Sequence, residues 1–135
     1  VHCDIYRTRP DVRAVLHAHP SEVIIASLAS IPLDWSRIAE AEKSLGRVSV
    51  VAQTGEVGTA TAATYHRSNI VVVSGHGVFS LGQTVEEAVC RLEMLEYSAR
   101  ILVSLARLGG RTAHQTASER APEPSQIDDQ GLRNG

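Results

Sequence analysis

The chain has 135 residues, which fits one domain, and 43% of them are hydrophobic, which is enough to bury a core. Its formal net charge of −2 gives no electrostatic basis for binding nucleic acid or a membrane surface. No apolar run reaches the roughly 18–20 residues that span a bilayer, and nothing at the N-terminus resembles a signal peptide. Cys3 and Cys90 match no metal or redox spacing, so we expect a cytoplasmic protein.

The sequence begins at Val1 and enters a structured pattern at once, without a linker or a polar lead. We therefore expect a further N-terminal part of the domain to precede Val1 in the natural protein. Part of any functional site would then lie upstream of these residues.

The predicted elements mix helices and strands along the chain. Residues 1–8 predict a helix or an extended segment that ends at the turn of residues 9–11. Residues 12–19 predict a strand, and residues 21–30 predict a short apolar helix with Ser21 as its N-cap. The segments that follow predict a loop with a helical turn (31–46), a strand (47–53), an Ala/Thr-rich helix (58–68) and two strands (69–75 and 77–82).

The clearest element is a long helix after residue 84. Thr84 and Glu87 form a capping box, and Gly109 and Gly110 end the helix. Its apolar residues recur at helical period and form one stripe: Val85, Ala88, Val89, Leu92, Leu95, Ala99, Leu102, Val103 and Ala106. Residues 111–135 are polar and are predicted to be a disordered tail, which leaves residues 1–110 as the domain. This mixture indicates a layered α/β or α+β fold.

Two histidines lie one residue apart in the first predicted strand. Residues i and i+2 of a strand share a face, so His17 and His19 project side by side, next to Val15. Leu16 and Ala18 then face the core on the opposite side. Neutral imidazole is a favoured zinc ligand, so the pair could share a metal ion. The alternative interpretation is a pair of surface histidines on a half-exposed strand.

A catalytic zinc site needs a third protein ligand, and His76 is the best candidate. It follows a buried strand, and the glycines on both sides let the backbone turn sharply and keep other side chains away from a ligand. The alternative is a histidine that merely occupies a tight glycine turn. The other histidines are weaker candidates. His2 lies at the start of the sequence, His66 in a polar connection and His114 in the polar tail.

With these residues in view, the chain resembles the class II aldolase/adducin family, and within it the L-fuculose-phosphate aldolase type. The segments that carry the resemblance are YRTRPDVRAVLHAHP and VVVSGHGVFSLGQTVEEAVCRLEMLEYSARIL, and it extends from about Val1 to Gly110. It implies that His17, His19 and His76 are the zinc ligands. It also implies a three-layer α/β/α sandwich around a mostly antiparallel sheet, and a homotetramer with active sites at the subunit junctions.

The resemblance further implies a zinc-dependent aldolase that cleaves a sugar phosphate such as L-fuculose 1-phosphate. The products would be dihydroxyacetone phosphate and a short aldehyde, with zinc acting as a Lewis acid that stabilises the enediolate. The family's general-base glutamate and its phosphate-binding residues would lie upstream of Val1, so no catalytic base is assigned here. We therefore expect residues 1–135 alone to bind zinc but to show little or no aldol cleavage. Glu22 and Glu56 are the nearest remaining carboxylates, and we interpret them as a first-turn helix charge and a solvated charge.

Other functions stay open on the same scaffold. They are a pentulose-phosphate 4-epimerase, a methylthioribulose-phosphate dehydratase, a tetronate-phosphate decarboxylase and a non-catalytic adducin-like assembly domain. Among the remaining side chains, Tyr65 is a possible proton donor, Trp35 is expected to pack or contact a subunit, and Arg7 and Arg9 are interpreted as solvated residues beside a turn.

Overall fold

The computed structural model describes residues 1–53 and 64–109. Its helices and strands, in chain order, are α1 (His2–Thr8), β1 (Ala14–Ala18), α2 (Ser21–Leu28), a 3-10 turn (Trp35–Arg37), α3 (Ala39–Leu45), β2 (Val48–Val51), β3 (Ile70–Val73), β4 (Gly77–Gly82) and α4 (Val85–Arg107). The strands form one sheet in the order β1-β4-β3-β2. The β1–β4 and β4–β3 pairs are antiparallel and the β2–β3 pair is parallel, so the α/β class and the mostly antiparallel sheet are confirmed.

Both faces of the sheet are covered. Every residue of β3 and β4 is buried, as expected for strands whose alternate side chains enter two separate cores. One core lies under α2, α3 and α4 and consists of Val23, Ala41, Leu45, Ile70, Val72, Val78, Leu95 and Ala99. The other lies on the α1 side and consists of Ile5, Val12, Tyr65, Val71, Val73, Phe79 and Leu81.

This two-sided burial corrects one expectation for β1. The strand was expected to place only Leu16 and Ala18 toward a core. Instead Val15 packs against the α1-side core, and His17 stacks on the ring of Phe79, its partner in β4. The strand also ends at Ala18, so His19 lies one residue beyond it.

Helix α4 matches its sequence pattern closely. The Thr84 hydroxyl accepts from the backbone N–H of Glu87 at 3.1 Å, and the Glu87 carboxylate accepts from the backbone N–H of Gln83 at 2.6 Å. The capping box is therefore confirmed, although Glu87 reaches one residue further back than the pattern requires. The middle of the apolar stripe is buried, whereas Val85 and Ala106 at its ends are exposed. Trp35 packs against the core beneath the same helix.

Arg9 is a second correction, because it is not a solvated residue. Its side chain is only 14% exposed, and its guanidinium donates to the backbone carbonyls of Tyr65 at 2.7 Å and Ser68 at 2.9 Å. The same group pairs with Asp11 at 2.7 Å, and this hydrogen bond lowers the pKa of the Asp11 carboxyl. Arg7, in contrast, is exposed as predicted.

Several predictions fall outside the described residues. They are the greater part of the helix at 58–68, the role of Glu56, the helix-ending Gly110, His114 and the disordered tail at 111–135. Among the helices within residues 1–53 and 64–109, none has the length and apolar character needed to cross a membrane.

Candidate metal centre

The three predicted histidines meet at one end of the sheet. Because β1 pairs with β4, the end of β1 lies beside the turn that joins β3 to β4. His17 comes from β1, His19 follows it, and His76 lies in the turn. One ligand nitrogen from each of the three lies within 4.8 Å of the others. Within the described residues, no carboxylate or cysteine joins this cluster.

His17 is held in one orientation by two contacts. Its Nδ1 lies 3.0 Å from the carbonyl oxygen of Val78, and since a carbonyl can only accept, Nδ1 carries the proton and Nε2 is left free to bind a metal. Its ring stacks on Phe79 with centroids 4.2 Å apart. Burial lowers the pKa of His17, which favours the neutral imidazole that metal binding requires.

His76 is positioned by a turn that α2 fastens. Gly75 has φ +69°, a left-handed conformation that glycine adopts readily. Its backbone N–H donates to the Ser27 hydroxyl at 3.1 Å, and the Ser74 hydroxyl donates to the Ser27 carbonyl at 3.3 Å. The turn that carries His76 is thus attached to the helix that begins two residues after His19.

Gly77 leaves the space in which the histidines meet. A Cβ at this position would lie 2.6 Å from the carbonyl oxygen of Ala18, 2.7 Å from Cδ2 of His19 and 3.3 Å from Cε1 of His17. The first two distances are shorter than any normal contact. The glycine after His76 is therefore required by the close approach of the Ala18 carbonyl and the His19 ring.

The donor set fits a zinc ion. Three imidazoles with one free position are a common catalytic zinc arrangement. Tetrahedral ligands at about 2.0–2.1 Å from zinc lie about 3.3 Å from one another, so nitrogens within 4.8 Å converge through side-chain shifts of about 1.5 Å or less. His17 also has the carbonyl partner on its second nitrogen that metal-bound histidines normally have.

An open groove adjoins the cluster at His19, which is itself exposed. The groove has a volume of about 470 Å³. Its walls include Pro20 and the α4 side chains Leu92, Tyr97 and Arg100. Glu93 and Glu96 also line it, so the groove combines apolar and aromatic surface with one cationic and two acidic side chains.

Other sequence candidates lie elsewhere. Glu22 is in the first turn of α2, as interpreted, and is not in the cluster. Tyr65 is 1% exposed and packs edge-on against Phe79, so it is a core residue.

Sequence reasoning missed Phe79 and undervalued His2. The His2 ring lies edge-on to Phe79 with centroids 5.7 Å apart, and its charge contributes to the lowered pKa of His17. Phe79 could have been found from the strand register after the Gly-His-Gly turn, which places it opposite His17. His2 carries no local pattern, because only the packing of α1 on the sheet brings it there.

Comparison with known proteins decides the family. Residues 1–103 match the model of the class II aldolase and adducin N-terminal domain. The chain belongs to the class II aldolase and adducin family. The resemblance seen in the sequence is thereby confirmed, and members of this family are mostly lyases or related enzymes that are generally metal-dependent.

The relatives have more than one activity. A 3,4-dihydroxyphthalate decarboxylase of Terrabacter sp. (strain DBF63) is 29% identical over 133 residues, which cover 92% of this chain and 56% of the relative. An L-fuculose phosphate aldolase of Methanococcus vannielii is 29% identical over 103 residues, which cover 75% of this chain and 56% of the relative. The chain spans about half the length of these curated relatives.

A solved structure shares the fold. The crystal structure of L-fuculose-1-phosphate aldolase from Thermus thermophilus aligns with a TM-score of 0.65 and 27% sequence identity. The alignment covers 92% of this chain and 64% of that one. The α/β architecture described above is thus that of a class II aldolase.

Proposed function

We propose that His17, His19 and His76 bind one zinc ion and that the protein is a metal-dependent aldolase acting on a sugar phosphate. The substrate would resemble L-fuculose 1-phosphate, and the products would be dihydroxyacetone phosphate and a short aldehyde. The observation that carries this proposal is the convergence of three imidazole nitrogens within 4.8 Å from two separate segments of the chain. A protein that only assembled would have no need of this convergence.

The residues around the cluster would serve the metal and the substrate in different ways. A bound zinc ion supplies Lewis-acid stabilisation of negative charge that develops on substrate oxygen. Burial lowers the pKa of His17 and so favours its neutral form, and the Val78 carbonyl orients its ring. The groove beside His19 leaves room for the remainder of the substrate, and its wall carries Arg100 together with the carboxylates of Glu93 and Glu96.

A second candidate function is the decarboxylation of a dihydroxylated aromatic acid. Three relatives named 3,4-dihydroxyphthalate decarboxylase match 82–92% of this chain at 25–29% identity. Both reactions break a carbon–carbon bond and leave negative charge that a metal ion can stabilise. The apolar surface of Leu92 and Tyr97 in the groove is suited to an aromatic ring.

We also propose, from family membership, that the protein forms a homotetramer. The exposed Leu28 and Leu108 provide apolar surface of the kind that subunit contacts cover. Light scattering at micromolar concentration should therefore give a mass of four chains.

The function is tested with the metal-depleted and zinc-loaded natural full-length protein on three substrates. These are L-fuculose 1-phosphate, L-rhamnulose 1-phosphate and 3,4-dihydroxyphthalate, with dihydroxyacetone phosphate and carbon dioxide as the measured products. We expect zinc-dependent cleavage of a sugar phosphate, lost in His76→Ala and kept in His66→Ala, whose histidine is exposed and outside the cluster. Carbon dioxide release alone would favour the second candidate. Turnover that persists in His76→Ala, or no turnover of any substrate, would contradict both.

A further inference from the structure

Helix α2 connects the two chain segments that carry the histidines of the candidate metal centre. Its first residue, Ser21, is separated from His19 only by Pro20. Near its other end, Ser27 holds the turn that carries His76, through hydrogen bonds with Gly75 and Ser74. A shift of α2 would therefore move His19 and His76 relative to each other and to His17.

The N-terminus of α2 lacks a cap of its own. The N-cap residue is Pro20, which has no side-chain acceptor, and no side-chain cap hydrogen bond forms within the helix. This corrects the expectation that Ser21 is the N-cap. Ser21 is instead the first helical residue, and its hydroxyl donates to Glu96 at 3.4 Å.

Glu96 of α4 supplies the missing cap from a distant part of the chain. Its carboxylate accepts from the backbone N–H of Glu22 at 3.1 Å and from that of Val23 at 3.2 Å. A carboxylate in this place satisfies free N–H groups of the first turn and interacts favourably with the positive end of the helix dipole. Helix α2 is thereby fastened to α4 at the end adjoining His19.

We infer that Glu96 is a positioning residue of the metal centre. It acts through α2, whose N-terminus it fixes and whose other end holds the His76 turn. The inference rests on the proposed metal binding by the three histidines. It assigns to Glu96 a role in metal affinity in addition to its role in stability.

Glu93 provides a matched control. It lies one turn earlier on α4, is exposed, and also lines the groove beside His19. Among the hydrogen bonds of the described residues, none joins Glu93 to α2. Glu93→Ala and Glu93→Gln therefore remove the same charge from the same helix without removing the cap.

The experiment compares Glu96→Ala and Glu96→Gln with the corresponding Glu93 variants, using two readouts. The first is the hydrogen-exchange rate of the Glu22 and Val23 amides in the metal-free protein, which shows whether the cap hydrogen bonds are present. The second is zinc affinity of the folded protein, measured by competition with a chelator, together with the visible spectrum of the Co²⁺-substituted protein. Glu96→Gln keeps one acceptor oxygen and should fold even if Glu96→Ala does not.

We expect about 10-fold faster exchange of the two amides in Glu96→Ala, and about 10- to 100-fold weaker zinc binding with an altered Co²⁺ spectrum. Glu96→Gln should be intermediate, and both Glu93 variants should match the wild type. Faster exchange with unchanged zinc affinity would make Glu96 merely structural and overturn the inference. Unchanged exchange, or equal effects of Glu93 and Glu96, would overturn it too. If the wild type itself binds no zinc, the proposed function fails and the inference fails with it.

Discussion

Substituting Gly77 by alanine should damage the metal centre more than the fold. The added Cβ would lie 2.7 Å from Cδ2 of His19, whereas carbon atoms in contact normally lie about 3.5 Å apart or more. The His19 ring would therefore have to move by about 0.8 Å. The same Cβ would lie 2.6 Å from the Ala18 carbonyl, so the end of β1 would be pushed away as well.

The clash pushes both the His19 ring and the end of β1, so it opposes the convergence that brings zinc–ligand distances within about ±0.2 Å of their normal values. We expect zinc affinity to fall at least about 10-fold in Gly77→Ala, the scale seen when groups that orient ligands are altered. Overpacking should also lower the free energy of unfolding by about 1–3 kcal/mol. Zinc affinity is measured by chelator competition, and stability by urea unfolding of the metal-free protein.

Gly82→Ala is the matched control at the other end of β4. Its Cβ would lie 2.7 Å from the Thr84 carbonyl and 2.9 Å from the Ala88 nitrogen, far from the histidines. It should lose comparable stability and keep its zinc affinity. Wild-type zinc affinity in folded Gly77→Ala, or an equal loss in Gly82→Ala, would refute this reasoning.

Three further predictions concern the parts of the fold that support the site. Phe79→Ala removes the ring on which His17 stacks and should lower the free energy of unfolding by about 3–5 kcal/mol in urea, with Phe79→Leu costing less. Because Arg9 lowers the folded-state pKa of Asp11, the stability that this pair adds is present above about pH 4 and lost as the pH falls through that lowered value. Asp11→Asn should therefore lower the free energy of unfolding by at most about 1 kcal/mol at about pH 7, since Asp11 is 55% exposed, and should not change it at about pH 2. A difference between variant and wild type that is the same at both pH values, measured by urea unfolding, would contradict this. Thr84→Ala should cost about 1 kcal/mol and lower the thermal midpoint, and Thr84→Ser should restore it.

The features read correctly from the sequence are those with a local pattern. The i, i+2 spacing placed His17 and His19 together, and the run of valines before Gly75 identified the buried strand that leads to His76. The Thr84–Glu87 spacing likewise located the start of α4.

The features that were missed depend on contacts between distant segments. Arg9 was expected to be solvated because its partners, the carbonyls of Tyr65 and Ser68, lie more than fifty residues away. The cap of α2 was assigned to Ser21 because Glu96 lies in another helix. No periodicity or spacing in the chain indicates such contacts, since they arise only when the helices pack on the sheet.

The central claim is that three histidines bind one metal ion, and the most direct test is the zinc content of the purified protein by elemental analysis. We expect about one zinc per chain in the wild type and in His66→Ala, and loss of most of it in His17→Ala, His19→Ala and His76→Ala. Circular dichroism of each variant establishes that the metal-free protein stays folded. Full zinc occupancy in any one of the three cluster variants, or no zinc in the wild type, would contradict the account.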